Sequence, residues 1–387
     1  MSQRNVFEQV IKLIPRGEFE RAVAKFDGDK GTSKLGCWSW FGALLFGQLT
    51  GHDSIRAIER VFCHSNDRMK RLGFTAIRRS TLAEANHKRP LGLLEEIFKT
   101  TLNKAKSCCP KSNGFRFKGQ LLALDSTTIS LCLSLSPWAN YRRQNGGIKL
   151  HTAIDLAGDL PELAVITIAK RNDIPVARNN FRFKRGTTVV FDRGYWDSSW
   201  LQELTDSGVF WVTRERRNNQ FRVSKSRETD RTLGYICDQI VYQKKVSKSY
   251  SRRYRKRLRR ISFKDPDTGK KLTFLTNRFD LATSTICALY KARWKVELFF
   301  KTLKQNLKVK KFLGNSPHAV KTQVYVALIA YLLVQIIRAL NKARVSMPDA
   351  MAVIGTLLLL RQPLQSLLGQ LPRVTRHPPA SQLVLRI

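Results

Sequence analysis

Two short apolar runs that each end on an aspartate, Leu121-Leu122-Ala123-Leu124-Asp125 and Thr188-Val189-Val190-Phe191-Asp192, do most to limit how this chain can fold. Bounded by polar or glycine residues, they have the pattern of buried strands in a sheet covered on both faces. An aspartate directly after such a run stands at a strand end. A third segment, roughly residues 283–309, has helical period, because Leu289, Val296, Phe300, Leu303 and Leu307 recur at spacings of seven, four, three and four. That is a buried stripe. At about 100° of rotation per residue, Tyr290, Arg293, Glu297 and Lys304 fall within an arc of about 60° beside it.

Two strand-borne aspartates and one helix-borne glutamate supply hard oxygen ligands. Such a set can hold two divalent cations about 3.5–4 Å apart and act on a phosphodiester. Each carboxylate alone has a plainer reading, since Asp at a strand end is often a turn or cap residue. The conjunction carries the weight. Tyr-x2-Arg-x3-Glu-x6-Lys around Glu297, with Asp125-Ser126-Thr127 and Asp192-Arg193-Gly194-Tyr195 upstream, resembles the signature of bacterial DDE transposases of the insertion-sequence-four family, over nearly the full length.

That resemblance implies an α/β protein with a ribonuclease-H-like catalytic core, interrupted by a β-rich insertion between the second Asp and the Glu. It implies Asp125, Asp192 and Glu297 as catalytic residues binding two Mg²⁺ or Mn²⁺ ions. The implied reaction is cut-and-paste transposition through end nicking, hairpin ends and strand transfer. The implied partners are double-stranded DNA, as terminal inverted repeats and target, and a second copy of the chain in a paired-end complex. Members also hold a flipped base on an aromatic residue of the insertion, often Trp. Here the match fails, because no Trp lies between residues 215 and 285. Phe221, Tyr242, Tyr250, Tyr254, Phe263 and Phe274 are left for that role, which stays unassigned.

Charge points the same way. The chain carries 69 Lys and Arg against 29 Asp and Glu, a formal net charge of +40 over 387 residues. Solubility asks for far less, so a polyanionic partner is expected. With 43% hydrophobic residues the chain can bury large cores, unlike a basic disordered tail. DNA is therefore the first expectation and RNA the second. The apolar stretches 324–334 and 351–360 run about ten residues each, half of what a membrane span needs, and read as buried helices. Residues 1–15 show no long apolar segment or cleavage-like site, and a cytoplasmic, nucleoid-associated protein is expected. Seven scattered cysteines without a C-x2-C pair, and six histidines without H-x3-H spacing, argue against a disulfide framework or structural zinc.

Composition divides the chain into three regions. Residues 1–112 read as helical, with apolar spacing in Val6, Val10, Ile11, Ile14 and in Trp40, Leu44, Leu45, Leu49. A turn-rich boundary follows at 107–114. Residues 113–310 form the core, with strands expected near 120–124, 150–154, 163–168, 189–191 and 209–213. The helical stretch 198–206 makes the last two a βαβ unit. Between about 215 and 280 alternating residues such as Gln239-Ile240-Val241-Tyr242 and Leu272-Thr273-Phe274-Leu275 mark the strand-rich insertion. Residues 311–387 return to helix, broken into short pieces by Pro348, Pro363 and Pro372, with a mobile tail from Arg373.

Several basic residues are candidate DNA contacts. Arg252, Arg253, Arg255, Lys256 and Arg257 belong to a run of seven bases in nine residues, suited to phosphate backbone; the plain alternative is a solvated loop. Arg293, Lys301 and Lys304 flank Glu297 with Tyr290. Their plain alternative is an Arg–Glu helix pair worth about 0.3 kcal/mol. Lys149, His151 and Asp155 share one strand face, and Asp155 and Asp173 rival Asp125 as ligands on residue type alone. Helices are expected at 53–63 and 80–89, and the second, capped by Ser80 with basic residues around its ends, suits a DNA major groove. Two other functions fit the same residues: a ribonuclease-H-like nuclease or resolvase that cuts without joining, and a non-catalytic DNA-binding protein derived from a transposase.

Overall fold

The computed structural model describes residues 4–32, 34–109, 114–115, 117–132, 136–142, 145–244, 254–265, 269–305 and 312–371. Among the described residues the chain begins with seven helices: α1 (Val6–Ile11), α2 (Arg16–Lys25), α3 (Cys37–Thr50), α4 (Ile55–His64), α5 (Asn66–Arg71), α6 (Arg79–Lys88) and α7 (Leu91–Cys108). Helix α3 is apolar all round and buried on every side but its last residue, as such a sequence requires. The Trp40 indole N–H donates to Asn86 at 2.7 Å and ties α3 to α6. Ser80 is not a cap, because α6 starts one residue earlier behind Arg78 without a side-chain cap. Arg89 is buried, bonded to Asp29 at 2.7 Å and to the carbonyls of Gly28 and Leu35, and so stands inside the fold.

Among the described residues the middle of the chain forms a ten-stranded mixed sheet with β1 (Leu121–Leu131), β2 (Asn140–Arg142), β3 (Asn145–Asp155), β4 (Leu160–Ile168), β5 (Thr188–Phe191), β6 (Phe210–Arg214), β7 (Phe221–Arg227), β8 (Tyr235–Gln243), β9 (Leu258–Lys264) and β10 (Lys271–Thr276). Their order is β2-β3-β1-β5-β6-β10-β9-β8-β7, with β4 on β3. Helix α8 (Asp173–Asn180) precedes β5, and α9 (Ser198–Asp206) links β5 to a parallel β6, the expected βαβ unit. Asp197 caps α9 by accepting from the Trp200 amide.

One expectation changes here and another gains detail. Asp125 lies inside β1, which runs on to Leu131 because β3 continues to pair with it after β5 has ended. The strands of 215–280 extend the same sheet, with β10 pairing antiparallel to β6. Gly119 lets β1 begin beside β5: at φ +113° a Cβ there would stand 2.4 Å from the Gly186 carbonyl oxygen.

The remaining helices are α10 (Thr283–Ala292), α11 (Trp294–Gln305), α12 (Pro317–Leu340), α13 (Met347–Thr356) and α14 (Leu364–Gly369). The 24-residue α12 is longer than the short pieces expected after Lys310. It extends past the polar Gln323 and Gln335, which are themselves buried: Gln323 accepts the Leu313 amide at 2.8 Å, and Gln335 accepts from Arg338 at 2.7 Å. The helix is long and apolar enough to cross a bilayer, but 83% of its apolar window is buried inside the protein, packed on α7, α3, α6 and α13. Pro348 and Pro363 do shape the last two helices, standing in the first turn of α13 and directly before α14. The Val6 and Phe7 amides donate to the Leu360 and Leu358 carbonyls, so the first and last helices share one core. The expected tail from Arg373 lies outside the described residues.

Candidate active site

Parallel pairing sets the two aspartates side by side. The last register pair of β1 and β5 is Leu124 with Phe191, and Asp125 and Asp192 are the residues that follow them in the chain. Both therefore stand at the carboxyl end of the parallel pair, where open α/β sheets place their ligand sites. Asp192 leaves β5 and caps a short 3₁₀ turn by accepting from the Gly194 amide at 2.5 Å. Asp125 accepts from the Ser126 amide at 2.8 Å.

Glu297 arrives from the first turn of α11, which packs on β1. The expected continuous helix is two helices joined at Arg293, although neither Gly nor Pro marks the join. The Arg293 amide bonds back to Tyr290 and the Val296 amide to Arg293, tightening the ladder locally to 3₁₀ spacing. The apolar stripe holds: Leu289, Val296, Phe300 and Leu303 are buried, and Leu307 lies outside the described residues.

Arg293 joins two of the carboxylates. Its Nη1 donates to Asp125 Oδ2 at 3.2 Å and its Nη2 to Glu297 Oε1 at 2.6 Å. Its side chain is 12% exposed, so the solvated helix pair is not what forms. Tyr290 packs on Phe274 with ring centroids 4.8 Å apart, and the guanidinium carbon of Arg293 lies 5.6 Å from its ring. Burial pushes the Asp125 carboxyl up to about 6, opposed by the Ser126 amide and Arg293 and reinforced by Glu297 and Asp192. Burial pulls Arg293 down, but Tyr290, Glu297 and Asp125 outweigh it and hold the guanidinium above its ordinary value. An open groove of about 350 Å³ is lined by Asp125 and Glu297 together with Lys301 and Lys304. Cations thus stand beside the carboxylates, as the helix edge implied.

The rival carboxylates go elsewhere. Asp155 pairs with Leu122 at the far end of β1 and accepts the Ala157 amide at 2.9 Å, a turn role. Asp173, at the start of α8, is the hub of a polar cluster that sequence reasoning missed. Its Oδ1 accepts from the Ser126 hydroxyl at 2.8 Å, pairs with Lys149 at 3.1 Å and lies 3.3 Å from His151 Nδ1, which has no hydrogen-bond geometry. His151 is fully buried, and burial pulls its imidazole down to about 4. Lys149 and His151 on one strand face were the available signal.

The basic run is divided. Arg252 and Arg253 lie outside the described residues. Arg255, Lys256 and Arg257 are exposed, with Lys256 2.5 Å from Asp206 and Arg257 over the Phe279 ring at 4.9 Å. Arg259 and Arg260 turn inward to Asp238 and Glu215. Among the candidate stacking aromatics, Tyr254, Phe263 and Phe274 are buried in the core and Phe221 packs against Trp196, whereas Tyr242 is 37% exposed. Tyr250 lies outside the described residues.

Among the described residues no three His, Cys, Asp or Glu side chains already stand in metal-holding positions. The donor set still suits a hard divalent ion, being all carboxylate oxygen, with Arg293 between Asp125 and Glu297.

The model of the transposase DDE domain matches residues 116–333, from just before β1 into α12. The chain belongs to the DDE transposases. Transposase-named relatives agree: y4zB of Sinorhizobium fredii is 33% identical over 69% of this chain and 73% of its own. The relative named for insertion sequence element IS5377 of Geobacillus stearothermophilus is 28% identical over 71% of each chain. The relative named for IS4SA of Synechocystis is 23% identical over 70% of this transposase and 75% of its own length, which fits the insertion-sequence-four assignment. A domain of unknown function matches residues 2–75, α1 to α5. A solved piggyBac transposase synaptic complex with hairpin DNA is 13% identical, covering 95% of this chain and 86% of its own at a TM-score of 0.43, too distant to settle the fold. The protein is a DNA transposase, of a family that generally uses divalent metal ions.

Proposed function

We propose that Asp125, Asp192 and Glu297 are the catalytic carboxylates of a cut-and-paste transposition reaction and hold two Mg²⁺ or Mn²⁺ ions. The observation that carries this reading is the Leu124–Phe191 register, which sets both aspartates at one end of a parallel pair, with Glu297 joined to Asp125 through Arg293. When bound, the ions supply an activated water or 3′ hydroxyl and stabilise the leaving oxygen. The chain's own part is to hold and orient. The carboxylates fix the reacting end, Lys301 and Lys304 hold phosphate in the groove, and Tyr290 supports Arg293. Arg255, Lys256 and Arg257, with Arg252 and Arg253, serve the DNA backbone.

The reaction that suits this site nicks the element end, forms a hairpin and transfers the freed strand into target DNA. The strand order β4-β3-β1-β5-β6, with α8 and α9, supports a ribonuclease-H-like core within 113–310, extended by the strands of 215–280. Residues 1–112 recognise terminal inverted repeats, α12 of the 311–387 region braces their helices, and a homodimer joins two ends on the nucleoid in the cytoplasm. Replacing Glu297 with Gln tests the site: cleavage of end DNA is expected to fall by about a thousandfold or more, as when a transition-state group is lost, while end binding in a gel-shift assay stays within about twofold of wild type. Equal loss of both refutes the assignment.

A further inference from the structure

Arg293 is built unlike a permanent structural ion pair. Its two terminal nitrogens bond to carboxylates from different elements, Asp125 on β1 and Glu297 on α11. Its Nε is buried without a partner among the described residues, although a guanidinium kept for stability ordinarily satisfies its donors. The residue also sits at the join of α10 and α11, where the helical ladder is already interrupted. The guanidinium therefore offsets one of the two carboxylate charges, while its Nε stays without a partner among the described residues.

We propose that Arg293 is an internal counter-cation that a divalent ion displaces, so that loading the site and releasing a guanidinium for DNA phosphate are one exchange. This rests on the carboxylate assignment above. Metal-free protein keeps Asp125 and Glu297 together because Arg293 bridges them; metal takes over that charge, and Arg293 becomes available to an anion in the groove. Metal and DNA end then bind cooperatively, each favouring the same position of the arginine.

Mn²⁺ titration of DNA-free protein, read by calorimetry and by the electron paramagnetic resonance of free Mn²⁺, tests the exchange without any turnover. Arg293→Gln is expected to bind Mn²⁺ about five- to a hundredfold more tightly than wild type, the usual range of coupling between competing sites. Lys225→Gln removes the same charge from exposed β7, outside the groove lining, and is expected to change affinity by less than about twofold, as for a screened surface charge. Arg293→Gln is also expected to melt at a lower temperature than wild type when metal-free and to recover with saturating Mn²⁺, which keeps the test usable if the variant is unstable. Unchanged or weaker Mn²⁺ binding in Arg293→Gln, with binding still lost in Asp192→Ala, overturns the exchange and spares the site. Binding that Asp192→Ala leaves intact overturns both.

Discussion

At the residue scale the site is a balance of buried charges. His151 shows how sharply: fully buried and pulled to about 4, it stays neutral where a free histidine, near 6.5, begins to take up a proton. The unfolded chain therefore binds the proton first, and protonation favours unfolding. Stability is expected to fall as pH drops from about 6.5 towards 4, by up to about 3 kcal/mol from this residue. Denaturant melts across that window, compared with His151→Gln, check it; an unaltered pH dependence in the variant contradicts it. Asp173 invites a second test at this scale. Because it holds the Ser126 hydroxyl next to Asp125, Asp173→Ala is expected to lower the cleavage rate more than tenfold while DNA-end binding holds. An equal loss of both would mark Asp173 as merely structural.

At the element scale, what was legible and what was not have physical reasons. The runs ending at Asp125 and Asp192 and the helix 198–206 were readable because burial on both faces and a capped amphipathic turn leave plain patterns. The break at Arg293 was not, since no Gly or Pro announces it and the apolar stripe runs through it undisturbed. Nor was the inward turn of Arg259, which sits in a basic run that looks wholly exposed. It is 1% exposed, bonded through Nε and Nη2 to Asp238, and anchors β9 to Leu281 and Thr283 at the start of α10. Removing one partner leaves the other charge buried and alone. Asp238→Ala is accordingly expected to cost about 3–5 kcal/mol in urea unfolding, and a loss below about 1 kcal/mol, the range of an exposed pair, contradicts the buried role.

At the scale of the whole molecule, the termini are coupled. Gly355 lets α13 cross α3 closely, since a Cβ there would lie 2.3 Å from the Leu49 carbonyl oxygen, and α12 fills the centre of the N-terminal helices. Composition divided the chain at a turn-rich boundary and missed this joint core, because contacts between residues 6 and 360 leave no local pattern. A chain ending at residue 310 is expected to lose helical circular dichroism well beyond the share of the deleted helices, for α3 and α7 would expose the faces that α12 covers. Full retention of the remaining helix signal would contradict that coupling.

The proposed carboxylate site is expected to perform metal-dependent cleavage at element ends. The most direct measurement incubates the purified full chain with labelled DNA carrying those ends, with Mg²⁺ or Mn²⁺ and with EDTA, on a denaturing gel. Nicks at the ends that need metal and vanish in Asp192→Ala are expected. DNA binding without cleavage, or cleavage that Asp192→Ala leaves intact, would contradict it.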